Sequence, residues 1–313
     1  MKIFVTGTAG QLGHDVVNEA LPRKHEIISS DVLDSAIANC SDPKQPAPAN
    51  SYTYVKLDIT DRNAVFQTME TYKPDAIIHC AAWTAVDAAE AEENRPKVDA
   101  INHLGTQYIA EAAKAIDAKM IYISTDYVFD GKGTRPWEPD DKCYAPLNVY
   151  GQSKLDGELA VSSILDKFFI VRIAWVFGLN GKNFIKTMIN VGKTHDTVRV
   201  VDDQIGTPTY TKDLARLLVD MVETEKYGYY HATNSEAKPG EYISWADLAE
   251  ESYKAAGMNV KVNRVTTAEY GASIAARPFN SRLNKNKLTE AGFQPLPDWK
   301  DAVRRYIKEA GLG

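Results

Sequence analysis

The stretch Lys2-Ile3-Phe4-Val5-Thr6-Gly7-Thr8-Ala9-Gly10-Gln11-Leu12-Gly13 joins an apolar run to three glycines. The apolar run predicts a β-strand, and the pattern that begins near Leu12 predicts a helix. Gly7 and Gly10 permit a tight turn close to a pyrophosphate, Gly13 lets helix and strand pack, and the helix N-terminus offers N–H groups to an anion. The stretch therefore predicts a dinucleotide-binding turn, although its Gly-x-x-Gly-x-x-Gly spacing departs from the usual Gly-x-Gly-x-x-Gly.

Further apolar runs alternate with helical patterns in the first half of the chain. They predict strands at residues 26–30, 54–57, 76–80, 119–124 and 168–174. The run Ala76-Ile77-Ile78-His79-Cys80 is apolar without alternation, which is typical of a strand covered by helices on both faces. Because helical crossovers join parallel strands, we predict an α/β fold with a doubly wound, Rossmann-like parallel sheet.

The alternation becomes irregular beyond residue 178. Helical patterns at residues 211–223, 244–256 and 299–310 are separated by connections rich in Gly and Pro, which predicts a smaller C-terminal substrate-binding domain. We expect residues 1–177 to form the dinucleotide-binding domain, with parts of 195–235 added to it, and 178–313 to form most of a discontinuous substrate-binding domain. The proline-rich residues 34–51 predict an exposed loop insertion.

The composition excludes several classes of protein. The 313 residues are 44% hydrophobic and 25% charged, which is typical of a globular chain and not of a disordered or coiled-coil one. A net charge of −6 without a strong basic run argues against nucleic-acid binding. No apolar run reaches the roughly 18 residues of a membrane span. Three widely spaced cysteines and no paired histidine spacing indicate neither disulfides nor a metal site, and reduced thiols predict a cytoplasmic protein.

Residues at the ends of the predicted strands favour a nicotinamide cofactor. Asp31 ends the second strand and is placed to accept a hydrogen bond from a ribose hydroxyl. It would repel a 2′-phosphate, which favours NADH over NADPH, and the alternative is that it caps a loop. The carboxyl ends of the third and fourth strands are expected to flank the cofactor through Asp58, Ile59, Ala81, Ala82 and Thr84.

Tyr150-Gly-Gln-Ser-Lys154 begins a helical pattern, so its phenol and ammonium project from one face. A phenol with a pKa of about 10 is a poor proton donor until a cation such as Lys154 lowers it. Ser124 and Thr125 end the fifth strand and are placed to hydrogen-bond a substrate oxygen. Together these groups predict ketone reduction by hydride transfer, and the alternative is an ordinary amphipathic helix.

A second Tyr-x-x-x-Lys pair is formed by Tyr52 and Lys56. It enters a predicted strand, where four residues span roughly 13 Å, so its two side chains are not expected to act together.

These features resemble an extended short-chain dehydrogenase/reductase, and more narrowly the dTDP-4-dehydrorhamnose reductase family. The narrower resemblance covers most of the chain. It rests on Thr6-Gly7, Gly10-Gln11-Leu12-Gly13, Ser124-Thr125-Asp126-Tyr127-Val128-Phe129-Asp130-Gly131, Asn148-Val149-Tyr150-Gly151, Trp175-Val176-Phe177-Gly178, Asp203-Gln204-Ile205-Gly206-Thr207-Pro208-Thr209 and Arg277-Pro278-x-Asn280-Ser281.

The resemblance implies a function and roles for individual residues. The family reduces a 4-keto sugar nucleotide to dTDP-L-rhamnose with NADPH or NADH. Tyr150 would be the proton donor, Lys154 its partner and a contact of the nicotinamide ribose, and Thr125 the hydroxyl that orients the keto group. Asp126 and Trp175 would touch the sugar. The cofactor would contact Gly10, Gln11, Leu12, Gly13, Asp58, Ile59, Ala81, Ala82 and Thr84.

Some members of the family form a magnesium-linked dimer; its acidic ligands are not identified in this sequence, and metal dependence stays open. We therefore expect a monomer or homodimer that takes a nucleotide sugar, and Mg²⁺ has no support in the sequence. Arg277 is placed among the substrate-binding residues because it suits a diphosphate, with a surface ion pair as the alternative. The alternative for Trp175 is a place in the core.

Two other functions compete with the reductase. A nucleotide-sugar 4-epimerase would use the same Thr, Tyr and Lys, and a non-catalytic NAD(P)-binding regulatory subunit would need none of them. A 4,6-dehydratase is disfavoured because Tyr127, and not glutamate, follows Asp126.

Overall fold

The computed structural model describes residues 1–34, 52–271 and 273–313. The predicted insertion at 34–51 lies outside them, apart from Asp34. The strands are β1 (Lys2–Thr6), β2 (Glu26–Asp31), β3 (Thr53–Lys56), β4 (Ala76–His79), β5 (Lys119–Thr125), β6 (Phe168–Ile173), β7 (Val176–Phe177), β8 (Thr197–Val201), β9 (Ile205–Gly206), β10 (Thr209–Tyr210), β11 (Gly228–His231), β12 (Ile243–Ser244), β13 (Lys261–Val265) and β14 (Asn280–Ser281).

The helices follow the predicted alternation with the strands. Within the described ranges, none is long and apolar enough to cross a membrane. They are α1 (Gln11–Ala20), α2 (Arg62–Tyr72), α3 (Val86–Ala89), α4 (Arg95–Asp99), α5 (Thr106–Ala115), α6 (Val149–Ile164), α7 (Phe184–Gly192), α8 (Thr211–Val222), α9 (Trp245–Ala255), α10 (Thr267–Tyr270), α11 (Asn286–Glu290) and α12 (Trp299–Glu309).

Seven strands form the main sheet in the order β11-β6-β5-β4-β1-β2-β3. Every neighbouring pair in it is parallel. The strand order reverses between β1 and β4, and a crevice at the carboxyl ends of such strands is where open α/β sheets bind ligands. The predicted doubly wound, Rossmann-like fold is confirmed.

Each face of the sheet has its own apolar core. Ile3 and Val5 of β1 pack toward α1 and α8, whereas Phe4 points to the opposite face, which α2, α5 and α6 cover. All three side chains are fully buried. Burial on both faces explains why these strands read as continuous apolar runs.

The later part of the chain builds a third core and three small sheets. The core packs α7, α9 and α12 together through buried side chains that include Ile185, Tyr253 and Tyr306. The small sheets are β10-β7, β12-β9-β14 and β13-β8. Meanwhile β11 adds the seventh strand to the main sheet, and the predicted division at residue 177 stays a prediction.

A buried ion pair fastens α6 to the sheet. Arg172 of β6 and Glu158 of α6 are both fully buried, and two guanidinium nitrogens donate to the two carboxylate oxygens at 2.8 Å each. The guanidinium also donates to the Pro139 carbonyl at 3.0 Å and lies 4.9 Å from the centroid of the Phe129 ring. These contacts fix the helix that carries the Tyr-x-x-x-Lys pair.

Candidate active site

The glycine turn is shaped by backbone crowding. Gly7 has a φ of 68°, and a Cβ there would lie 2.6 Å from the backbone nitrogen of Ala81. A Cβ on Gly13 would lie 2.3 Å from the carbonyl oxygen of Gly7. Gly10 is the N-cap of α1 and has a φ of −80°, which other residues also adopt, but a Cβ there would lie 3.1 Å from the Gly7 carbonyl oxygen. The crowding is therefore most severe at Gly7 and Gly13 and milder at Gly10.

A cavity of about 1090 Å³ opens beside this turn at the carboxyl edge of the sheet. Its walls come from the ends of β1, β2, β4, β5 and β6, from α6, and from the later chain. The structure brings together almost all the side chains singled out in the sequence. The predicted residues that line the cavity are Gly7, Gly10, Gln11, Leu12, Gly13, Asp31, Asp58, Ile59, Ala81, Ala82, Thr84, Thr125, Asp126, Tyr150, Lys154 and Trp175.

Asp31 lies in this cavity and also ties down the glycine turn. Its Oδ2 accepts a hydrogen bond from the Ala9 N–H at 2.9 Å, and its Oδ1 accepts one from the Val32 N–H at 2.8 Å. A carboxylate has further acceptor positions, so these two bonds leave it able to accept from a ribose hydroxyl. Both sequence-based interpretations of Asp31, loop cap and ribose acceptor, are compatible with this geometry.

Tyr150 and Lys154 lie one turn apart on α6, and both line the cavity. The helix starts at a fixed point, because the Asn148 side chain accepts from the Gly151 N–H at 2.7 Å. Lys154 is 3% exposed, and its Nζ lies 4.1 Å from the centroid of the Tyr122 ring. The Tyr122 hydroxyl donates to the Lys154 carbonyl at 3.1 Å, which holds this turn of the helix against β5.

Burial dominates the electrostatics of this pair. Burial lowers the pKa of Lys154 to about 7, with Glu158 opposing the shift. Burial also raises the pKa of Tyr150 well above its usual value, and its interaction with Thr125 offsets this only in part. The Asp126 carboxylate acts in the same direction as burial, so the net shift is upward, and a lowering of the phenol pKa by Lys154 stays a prediction. Tyr150 is held protonated, the state in which it donates.

Polar groups at the end of β5 face the phenol. The Thr125 hydroxyl donates to Asp126 Oδ1 at 3.1 Å and accepts from the Tyr127 N–H at 3.2 Å. Asp126 is 1% exposed, and burial raises the pKa of its carboxyl to about 6, although Ser281 and Thr125 act to lower it. The site thus sets a hydroxyl and a buried carboxyl with a raised pKa beside the proton donor.

Replacing Asp126 with Asn is expected to stabilise the protein in a pH-dependent way. An Asp with a raised folded pKa binds its proton more tightly when folded, so wild-type stability falls as pH rises from about 4 to about 6 and stays reduced above that. The Asp126→Asn variant has no carboxyl to titrate, so its stability does not fall over this pH interval for that reason. Urea unfolding should therefore show a stability difference that grows over this interval and is then constant. A difference that does not vary with pH would contradict the raised pKa.

Trp175 and Arg277 have different surroundings. Trp175 lines the cavity and also packs against two of the apolar cores, so both of its sequence-based interpretations are compatible with the structure. Arg277 is not among the described residues that line the cavity. Its guanidinium donates to both carboxylate oxygens of Asp87, at 3.0 and 2.8 Å, which is the ion-pair alternative. The Ala275 N–H donates to the same carboxylate at 3.0 Å, so the pair fastens the loop before β14 to α3.

Several cavity residues were missed in the sequence. Ser30, Thr60 and Cys80 lie at or just beyond strand ends, the signal that identified their neighbours. Lys97 and Trp245 carry no such signal, because each lies in a helix whose approach to the site depends on tertiary packing. Ser124, which was predicted with Thr125 to hydrogen-bond a substrate oxygen, also lines the cavity. The remaining lining residues outside the predicted set are Thr6, Val32, Leu57, His79, Val86, Ala100, Ile101, Ile123, Tyr127, Ile173, Ala174, Val176, Gly181 and Lys182.

One grouping of metal-binding residue types was also missed. Single ligand atoms of Asp99, His103 and Asp156 lie within 4.8 Å of one another. Asp99 Oδ1 is 2.9 Å from His103 Nδ1, and Asp156 accepts from the Gln152 side chain at 2.8 Å. Asp99 and His103 are four residues apart in one continuous helical stretch, but Asp156 comes from α6, so spacing in the sequence does not reveal the third member.

The cavity fits a nicotinamide dinucleotide. Gly7 and Gly13 let the backbone turn tightly from β1 into the N-terminus of α1, where an anionic pyrophosphate is favoured. The buried hydroxyls of Ser30 and Ser124 have no hydrogen-bond partner within the described residues. Both residues line the cavity, on opposite sides of β1 and β4.

Comparisons with known proteins agree with this geometry. The family model described as "RmlD substrate binding domain" matches residues 1–311. A dTDP-4-dehydrorhamnose reductase of Aggregatibacter actinomycetemcomitans is 36% identical over 97% of each chain. A crystal structure of a dTDP-4-dehydrorhamnose reductase from Clostridium acetobutylicum has a TM-score of 0.87 and 38% identity, covering 99% of this chain and 100% of the other.

A further neighbour is informative about the cofactor. The Bacillus anthracis dTDP-4-dehydrorhamnose reductase in complex with NADP has a TM-score of 0.85 and 36% identity, covering 99% of this chain and 100% of that chain. The family predicted from the motifs is confirmed, and so is the expectation of an NAD(P)H-dependent oxidoreductase. The chain belongs to the RmlD substrate-binding domain family, among the dTDP-4-dehydrorhamnose reductases.

Proposed function

We propose that this chain reduces the 4-keto group of dTDP-4-dehydro-L-rhamnose to give dTDP-L-rhamnose, with NADPH or NADH as the reductant. The product would supply the synthesis of cell-surface polysaccharide. The observation that carries the proposal is the convergence of Thr125, Tyr150 and Lys154 on one cavity beside the glycine turn. A cytoplasmic location, and the choice between monomer and homodimer, remain predictions.

The side chains divide the reaction between them. When bound, the reduced nicotinamide supplies a hydride to the carbonyl carbon. The Tyr150 hydroxyl donates its proton to the oxygen, which becomes the product hydroxyl, and the Thr125 hydroxyl orients that oxygen. A raised phenol pKa keeps Tyr150 protonated until an alkoxide, a much stronger base, forms beside it.

Lys154 is proposed to act after the proton has left. Its ammonium lies on the same helix face as Tyr150, one turn away, and in a buried site a positive charge stabilises the phenolate strongly. The same ammonium is proposed to hydrogen-bond the nicotinamide ribose. Asp126 and Trp175 are proposed to contact the sugar.

The assay that tests the proposal follows NADH or NADPH oxidation with dTDP-4-dehydro-L-rhamnose. We expect oxidation that depends on the keto sugar, with dTDP-glucose as a control that has no keto group to reduce. Tightly bound NAD at one equivalent per chain, with no net NADH consumption, would instead identify a 4-epimerase. Binding of the cofactor without any turnover would identify a regulatory subunit.

Replacing Asp31 with Asn is expected to shift cofactor preference toward NADPH. The variant removes the negative charge that opposes a 2′-phosphate, while its amide oxygen can still accept from the Ala9 N–H. The ratio of kcat/KM for NADPH to that for NADH should rise, by about tenfold if about 1.4 kcal/mol of repulsion is relieved. Asp31→Ala should shift the ratio in the same direction but also weaken both cofactors, because the turn loses its acceptor. An unchanged ratio in both variants would remove Asp31 from the ribose site.

A further inference from the structure

Two indole rings are stacked at one end of the cavity. The ring centroids of Trp175 and Trp245 lie 4.0 Å apart with 21° between their planes. Phe184 packs on the Trp245 ring as well, at a centroid distance of 4.7 Å. Trp175 and Trp245 both line the cavity, although Trp175 follows β6 of the main sheet and Trp245 begins α9 in the later chain.

The backbone of Trp175 is held in an unfavourable conformation. Its φ of 51° lies in the left-handed region, which is uncommon for a bulky side chain and carries a cost that its surroundings must offset. A Cβ on Gly206 would lie only 3.3 Å from Trp175 Cε2, so the ring lies against bare backbone at that point. Trp175 thus lies in a narrow slot between Gly206 and Trp245.

Trp245 itself is firmly anchored. Ser244 caps α9 in a capping box with Asp247, so the helix start is fixed on the residue before the indole. Ser244 Oγ donates to Asp202 at 2.6 Å, and Arg264 bridges Asp202 and Asp247 at 2.8 and 2.7 Å. These bonds hold the first turn of α9 and so fix the backbone position from which the Trp245 side chain extends.

The stack lies at the end of the cavity away from the adenosine side. Asp31 belongs to β2, on one side of β1, whereas Trp175 follows β6, beyond β4 and β5 on the other side. A ligand that contacts the indoles is therefore the one bound next to Thr125 and Tyr150, which is the sugar nucleotide. Aromatic faces suit the C–H groups of a sugar ring, and a wall that is ordered in advance lowers the cost of binding.

We propose that Trp245 is a positioning residue: by stacking on Trp175 it holds that indole against Gly206 and so sets the affinity for the sugar nucleotide, not for the dinucleotide. This inference rests on the proposed function, because it assigns the ligand of the same cavity. Without the Trp245 ring, Trp175 is free to leave its strained conformation, and the sugar loses a fixed wall.

The stack can be tested without substrate. Coupled indoles give an exciton band in the far-UV circular dichroism spectrum, and a phenyl ring does not couple in the same way. We expect Trp245→Phe and Trp245→Ala to lose this band, and Trp299→Phe to keep it. Trp299 is a matched control because it is buried in the core formed by α7, α9 and α12. A band that survives Trp245→Ala would contradict the stacked arrangement.

Kinetics then separate positioning from a merely structural role. Trp245→Ala should raise the KM for dTDP-4-dehydro-L-rhamnose by about 10- to 100-fold, because a sugar-binding side chain is then misplaced. The KM for NADH should stay within about twofold of the wild-type value. Trp245→Phe keeps a flat ring and should recover most of the affinity. An unchanged sugar KM in Trp245→Ala, or equal increases in both KM values, would overturn the proposal.

The outcome for the wild-type protein distinguishes the two proposals. Wild-type protein that does not oxidise NADH with this sugar would contradict the proposed function, and the present inference with it. Wild-type turnover that Trp245→Ala matches in both KM values would overturn only the role of Trp245.

Discussion

Tyr150→Phe is expected to lower kcat by about 10²- to 10⁴-fold while leaving the affinity for NADH unchanged. The substitution removes one hydroxyl and keeps the ring that packs edge-on against Tyr127 at a centroid distance of 5.6 Å. Because the helix start is fixed by the Asn148 cap, Lys154 should stay in place. The loss therefore reports the proton donated to the developing alkoxide.

The chain supplies its own control for this prediction. Tyr52 and Lys56 have the same Tyr-x-x-x-Lys spacing, but Tyr52 precedes β3 and Lys56 is its last residue. Lys56 forms an ion pair with Asp34 at 2.5 Å. Tyr52→Phe should leave kcat unchanged. Steady-state kinetics, together with NADH binding measured by fluorescence, would check both variants. Equal activity of Tyr150→Phe and wild-type protein would remove Tyr150 from the mechanism.

Arg172→Met should destabilise the protein by about 3–5 kcal/mol, because it leaves the Glu158 carboxylate buried without its counter-ion. Both side chains are fully buried, and the carboxylate accepts two bonds from the guanidinium. Other guanidinium contacts are lost as well, including those with the Pro139 carbonyl, the Tyr144 hydroxyl and the Phe129 ring.

The double variant Glu158→Gln with Arg172→Met is the matched comparison. It removes the negative charge of Glu158 together with the positive charge of Arg172, so no unpaired charge is left buried. We therefore expect a loss of stability clearly smaller than that of Arg172→Met alone. Urea unfolding in the absence of cofactor would measure both. If the double variant is as unstable as the single one, the loss comes from packing around Arg172 and not from an uncompensated charge.

The sequence predicted the parts of the fold and site that depend on local pattern. Apolar runs located the first six strands, and the glycine turn located the crevice, because strand and helix patterns are short in range. The ends of those strands then identified Asp31, Asp58 and Thr125, since parallel strands present their carboxyl ends at one edge. Each of these residues lines the cavity.

Features that depend on tertiary packing could not be predicted from the sequence. Arg277 and Asp87 are 190 residues apart, so their ion pair has no local signal. Trp245 reaches the cavity through the packing of α9 against α7 and α12, which no spacing rule describes. The raised pKa of Tyr150 comes mainly from desolvation, which depends on how the chain packs around the phenol and has no local signal in the sequence.

Transfer of an isotopic label tests the central claim most directly. Wild-type protein should be incubated with dTDP-4-dehydro-L-rhamnose and NADH that carries deuterium at nicotinamide C4, on the face that this enzyme uses. We predict dTDP-L-rhamnose with one deuterium at sugar C4 for each NADH oxidised, detected by mass spectrometry and proton NMR. Product without that deuterium, or cofactor bound with no product formed, would contradict hydride transfer in this cavity.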